Sequence, residues 1–449
     1  MSEEEGGVPG PQHSSGNARQ PGRRAASRRG RTAFVDSSLR GIALVVFALA
    51  GGCNGPFGPS SDDAPPAQIT ELPRNLTSGE LASIHASNRF GFELLREVAD
   101  DDRTGNLFLS PLSASMALGM TLNGADGATF DAMRAALRLD ELPESEINAS
   151  YEGLLDLLSE LDPHVELAVG NAVWHRADMT VREAFRERVE RHFGARVEEL
   201  DFSDPDAVGI MNAWSRDVTR GRIDEIIDFP IPGNIVAFVM NAVYFKAGWT
   251  EPFDPERTRL EPFHRPDGSN APVEFMVRDD TVSYYQGEDY DAVDLLYAGG
   301  AFSMTVVVPR EGETDLAGLI EGLDLEGWNE MVSGLRTNRV QLWLPRFELE
   351  WEGILNDPLK ALGMGVAFQP GADFSRMFES GSPWIDEVKQ KSFIRVDEEG
   401  TEAAAVTSVA MATSLPRQLR ADRPFLFALR ERYSGTILFL GSLSDPPPP

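Results

Sequence analysis

Few residues of this chain are of types that do covalent chemistry, and their spacing brings none of them together. Six histidines are scattered through 449 residues, and Cys53 is the single cysteine. No Gly-x-Ser-x-Gly elbow presents a nucleophilic serine, and no His-Glu-x-x-His pattern could hold a zinc ion. One cysteine excludes a disulfide within the chain and leaves no further thiol for a metal or for catalysis. No enzyme, metal or cofactor is expected. The stretch that could act is instead a long run of small side chains, residues 397–415, reading Asp-Glu-Glu-Gly-Thr-Glu-Ala-Ala-Ala-Val-Thr-Ser-Val-Ala-Met-Ala-Thr-Ser-Leu. A loop this long inside a globular domain is usually functional or disordered.

Residues 392–396, Ser-Phe-Ile-Arg-Val, read as a strand leading into this run, and another apolar block starts at Pro424. As a strand, the run would alternate its faces with a period of two. Thr401, Ala403, Ala405, Thr407 and Val409 share one uncharged face; Glu402, Ala404, Val406 and Ser408 share the other. Gly400 permits the sharp reversal that entry into a sheet needs. The run can be loop or strand, and loop insertion into a sheet is a known switching move. An Ala-rich linker or helix is the plainer alternative.

Three polar side chains stand in apolar surroundings. Ser110 and Ser113 lie one turn apart where a short buried strand enters a helix with Pro111 in its first turn, and simple capping would account for both. Asn241 interrupts the longest apolar strand pattern, residues 235–246. A strand apolar on both faces belongs inside a sheet. A buried amide there must find partners, and neighbouring backbone is the simplest source.

The elements around them mix both periodicities. Helices are predicted over residues 82–98, 111–120, 182–193 and 208–220. Strands are predicted over 167–174, 273–277, 281–285, 291–297, 301–308 and 340–344, the last leading into Pro345–Glu350. Residues 425–429 and 436–440 form a buried hairpin. No linker and no repeat breaks residues 75–443, so one large α+β domain is expected.

The first 53 residues are read as a leader. An Arg-rich stretch precedes a nine-residue apolar run, residues 42–50, and then Gly51-Gly52-Cys53. The run is too short to span a membrane and has the layout of a secretory signal. Residues 54–74 begin as a Pro/Gly/Ser-rich tether. Seven of the 41 basic residues and four of the 71 acidic ones precede Cys53, leaving 34 against 67 and a net charge of −33. Such a surface excludes nucleic acid as a partner.

These blocks together resemble the serpin family over residues 75–446. Glu398-Glu399-Gly400-Thr401-Glu402-Ala403-Ala404-Ala405 resembles its hinge. Asn106-Leu107-Phe108-Leu109-Ser110-Pro111-Leu112-Ser113, Asn241 through Trp249, Leu344-Pro345-Arg346-Phe347 and Arg423-Pro424-Phe425 resemble further motifs in the family's order. The resemblance implies three β-sheets with eight or nine helices and an exposed reactive loop over about 398–423. It implies a monomeric serine-protease inhibitor used once: the loop is cut, and its arm inserts into the main sheet as a new strand. A non-inhibitory binding or chaperone-like serpin, or one directed at cysteine proteases, is the alternative.

By position, residues 398–405 would be the hinge and entering arm. Ser110, Ser113 and Asn241 would form a shutter where the sheet parts, and Trp249 would mark the breach where insertion starts. Gln390 stands where the family often has a histidine, and its amide can donate and accept as an imidazole can. Counting fourteen residues beyond Gly400 puts the scissile bond at Ser414–Leu415, which favours an elastase-like or subtilisin-like target; Thr413, Met411 and Leu415 are the competing bait positions. Cys53 after small residues resembles a bacterial lipoprotein box, which implies export and a lipid anchor as the only membrane contact; a chance cysteine is the alternative.

Overall fold

The computed structural model describes residues 67–101, 105–381, 383–401 and 417–447. Local chemistry sets the helix ends. Helix α1 (Ser78–Asp101) opens on a reciprocal capping box. The Glu80 amide donates to Thr77 Oγ1 at 3.1 Å, and the Thr77 amide donates to Glu80 Oε2 at 2.7 Å, satisfying donors that a helix start leaves free. After β1 (Leu107–Leu109) comes α2 (Pro111–Leu122), buried on nearly every side. Its Gly119 is required by packing, since a Cβ there would lie 2.9 Å from the Tyr151 ring.

Then follow α3 (Gly127–Ala136), α4 (Glu144–Glu160), β2 (Val165–Arg176), α5 (Glu183–Phe193), β3 (Arg196–Leu200), α6 (Pro205–Val218), β4 (Ala237–Gly248), β5 (Arg259–His264), β6 (Asn270–Gln286), β7 (Tyr290–Tyr297) and β8 (Phe302–Pro309). Next come α7 (Leu316–Gly322), α8 (Leu325–Gly334), β9 (Arg336–Pro345), β10 (Phe347–Ile354), α9 (Asn356–Leu359), β11 (Lys389–Val396), β12 (Gly400–Thr401), β13 (Arg417–Arg420), β14 (Phe425–Glu431) and β15 (Ile437–Leu443). Five helices, α3, α4, α7, α8 and α9, are not expected from periodicity. Asp126, Asp315 and Asp324 cap three of them, a signal present in the sequence.

Among the described residues the strands form three sheets. The largest runs β1-β15-β14-β8-β7-β6-β9-β13, with β5 also on β6. The second is β12-β4-β2-β3, and the third is the antiparallel pair β10-β11. The hairpin expected near the C-terminus is β14-β15, buried at every position.

Three expectations are corrected. Residues 273–277 and 281–285 are one strand, β6, rather than two. The charged residues between them remain in the strand because Arg339 of β9 binds Asp279 at 2.7–2.8 Å. The last residues of the expected tether are packed on the domain. The Ile69 amide donates to Gly299 O at 2.8 Å, and Arg74 donates to Glu80 at 2.6 and 2.9 Å. Finally, β4 is central by composition but not by pairing. β2 covers one edge over its length, whereas among the described residues only the two-residue β12 pairs with the other.

Candidate functional site

Gly400 turns the chain back on itself. Its φ is +139°, and a Cβ would lie 2.5 Å from Ala247 O and 2.6 Å from Gly248 Cα. Only glycine accommodates both the conformation and the approach. The Asp397 amide donates to Gly400 O at 3.0 Å, closing the turn. Gly400 and Thr401 then pair antiparallel with Gly248 and Ala247 of β4. Around the turn, the Trp249 amide donates to Glu399 O and the Phe253 amide to Glu398 O, both at 2.9 Å. The Trp249 indole N–H donates to Asp397 O at 2.9 Å, and Thr258 Oγ1 donates to Glu398 Oε1 at 2.6 Å. Glu398 and Thr401 are buried, while Glu399 is exposed.

A second network crosses from β11 to β4 beneath the parted sheet. Gln390 lays its amide against one backbone unit: the Ser110 N–H donates to Gln390 Oε1 at 3.1 Å, and Gln390 Nε2 donates to Ser110 O at 3.0 Å. Ser110 Oγ donates to Leu438 O at 2.8 Å while accepting from the Ser113 amide at 3.2 Å. Ser113 Oγ donates to Asn241 Oδ1. Asn241 Nδ2 donates to Asn171 Oδ1 at 2.6 Å, and Asn171 Nδ2 to Phe193 O at 2.7 Å. Capping is thus real for Ser110 but only part of its role. The amide of Asn241 is satisfied by side chains, which corrects the backbone-partner expectation. Ser113, Asn241, Ser110 and Gln390 are brought together; Trp249 lies apart with the turn.

Below the turn, β4 and β11 belong to separate sheets. A cavity of about 320 Å³ lies between them, lined by residues 234–241, 387–390 and the α2 face that carries Ser113, Ala117 and Thr121. The far end of the loop is fixed differently. β13 pairs in parallel with β9, with Arg417 opposite Val340. Arg417 stacks 5.5 Å above the Tyr284 ring and donates to Gln286. Arg417 is thus already part of a strand, with its side chain exposed.

Glu402, Ala403, Ala404, Ala405, Ser414, Leu415 and Cys53 lie outside the described residues. Sequence reasoning missed Asn171, Tyr297 and Thr258. Asn171 carried a signal, a polar residue interrupting an apolar strand like Asn241, which it faces in register. Tyr297 carried none, because its partners come from distant chain segments.

Two sheets that face each other across a cavity, a tight glycine turn at its upper end and a polar network beneath are the features of the site. The Serpin (serine protease inhibitor) family matches residues 85–446, and the chain belongs to that family. It is 33% identical over 90% of its length to a serpin-like protein of Thermococcus kodakarensis, of which 98% is covered. It is 32% identical over 80% of its length to the leukocyte elastase inhibitor of Sus scrofa, of which 98% is covered. The thermophilic serpin tengpin in its native state superposes with a TM-score of 0.75 at 28% identity, covering 86% of this chain and 98% of that one. Thyroxine-binding globulin in complex with thyroxine superposes at 0.74 and 25% identity, covering 81% and 99%. The serpin fold expected from the sequence is therefore the observed one, and the family includes protease inhibitors.

Proposed function

We propose that the chain inhibits serine proteases and is consumed in a single turnover. The observation that carries this is Gly400–Thr401 paired to β4 above a seam that is otherwise unpaired among the described residues. A protease serine attacks the carbonyl at the bait residue, the ester acyl-enzyme forms, and the new amino terminus departs. The arm then enters the seam before water can release the enzyme. The bait proposed is Ser414–Leu415, with an elastase-like or subtilisin-like target.

The register supports the fit of the arm. Gly400 and Thr401 pair with Gly248 and Ala247, and Gly400 bonds Asp397 just past β11, so an inserting arm that kept this register would pair each further residue one residue further back on β4 and on β11. Ala403 would then come beside Phe245 and Ile394, both buried apolar side chains. Thr407 would come beside Asn241 and Gln390, polar against polar. Glu402, on the opposite face, would come between Lys246 and Arg395. The match of size, polarity and charge favours an inserted strand over a free linker.

The thyroxine-bound relative superposes as well as tengpin does, so the fold alone does not separate inhibitor from carrier. The test is a panel of serine and cysteine proteases mixed with the purified chain. An SDS-stable adduct with a serine protease is expected, and the fragment released should begin at Leu415. Clean cleavage without adduct across the panel would favour the non-inhibitory reading. A released fragment beginning at Gln418 would point to a trypsin-like target.

We further propose that Cys53 is lipidated and anchors an exported protein of bacterial lipoprotein type. The short apolar run and the tether after it support this. Mass spectrometry of the amino-terminal peptide should find acyl chains; an unmodified Cys53 in a freely soluble protein would rule the anchor out.

A further inference from the structure

The turn holds one contact that the hinge motif does not explain. Tyr297, at the end of β7, is fully buried, and its hydroxyl lies 3.0 Å from Thr401 Oγ1, itself 4% exposed. The ring has little freedom. Trp249 stacks on it at 4.4 Å with planes 12° apart, and Phe245 meets it edge-on at 5.3 Å. Trp249 is in turn tied to Asp397 and Glu399 of the turn. The hydroxyl is therefore aimed at Thr401 by the same residues that hold the turn. Burial pushes the Tyr297 phenol well above its ordinary range, so it stays protonated and can donate.

We propose that Tyr297 is a positioning residue whose hydroxyl seats Thr401 in the sheet of the intact chain, so that insertion of the arm starts from a strand already begun. This rests on the inhibitor reading for its consequence, but not for the seat itself. Withdrawing Thr401 would leave the buried Tyr297 hydroxyl without this partner, which favours the seated state.

The test compares Tyr297→Phe, Thr401→Val and the double variant, each preserving shape while removing a hydroxyl. The first readout needs no protease. Amide hydrogen exchange at residues 247–248 and 400–401 of the intact chain should quicken about tenfold in either single variant. The double variant should add little, because the two changes remove one interaction. The second readout is the number of inhibitor molecules spent per adduct, with a protease that the parent traps. It should rise at least about twofold in both single variants, since a delayed insertion loses to deacylation. Unchanged exchange in Tyr297→Phe would overturn the proposal. So would exchange that rises equally in β8 and β14, which would mean general loosening. Faster local exchange in the variants, with no adduct from the parent against any protease, would keep the seat and discard the inhibitor reading.

Discussion

At the scale of single residues, the site is a set of small side chains and buried hydrogen bonds, and each is sensitive to one atom. Thr401→Arg would bury a charge at a position 4% exposed, at a cost of several kcal/mol. Ala403→Arg would do the same beside Phe245 and Ile394 if the register continues. Both variants should be cut as substrates without forming adduct, read as product bands on a denaturing gel. Adduct at the parental yield would mean the assigned faces are wrong. Gln390→Ala removes both bonds to the Ser110 backbone, leaving a buried N–H and C=O without their side-chain partner. A loss of about 1–3 kcal/mol in unfolding free energy is expected from denaturant titration. Gln390→Glu should be no rescue, since a carboxylate accepts from the Ser110 N–H but cannot donate to its carbonyl.

At the scale of elements, β10 and β11 are held on their outer face by an ion ladder. Lys389 binds Glu352 at 2.9 Å, and Lys391 binds Glu350 at 2.8 Å. The hydrogen bond from Lys389, with the charges of Lys389 and Lys391, holds the Glu352 carboxyl below its ordinary 4.5. A carboxyl lowered in the folded state stabilises it above the unfolded value and loses that contribution as pH falls through the folded value. Melting temperature should therefore drop on acidification from pH 5 downward, and Glu352→Gln should flatten that decline. The group is partly solvent-exposed, so the effect is modest. An equally steep acid limb in the variant would show that other carboxylates set it. On the proposed mechanism the ladder would also serve function, because β11 would be one wall of the seam and would have to stay intact while it filled.

At the scale of the whole molecule, the parted sheet is the property that matters. The intact chain keeps two sheet edges, those of β4 and β11, largely without a partner among the described residues. On the proposed mechanism, a nick beyond Thr401 would free an arm to complete both edges at once. Nicked protein should melt well above the intact form in calorimetry, reversing the usual effect of a cut. A nicked sample melting at or below the intact one would count against insertion. The net charge of −33 beyond Cys53 makes copies of the chain repel one another, which disfavours self-association.

What the sequence determined by itself was local in origin. Strand and helix periodicity located most elements, the turn at Gly400 followed from the residue's conformational freedom, and the order of motifs pointed to the family. Capping signals at Asp315 and Asp324 were legible too, although periodicity overlooked the short helices that they start. The tertiary structure decided what depends on residues far apart in the chain. β6 runs unbroken through Asp279 because an arginine sixty residues later neutralises it. Asn241 looked like a residue in search of backbone partners, yet it is satisfied by Ser113 and Asn171 from other elements. Tyr297 gave no sign in its own neighbourhood, since its significance lies in meeting Thr401 across 104 residues. The pattern of β4 says that it wants neighbours on both sides; only the folded chain shows that, among the described residues, one side is paired by the two-residue β12 alone. An apolar pattern records what a strand can bury, whereas pairing depends on which segment arrives beside it.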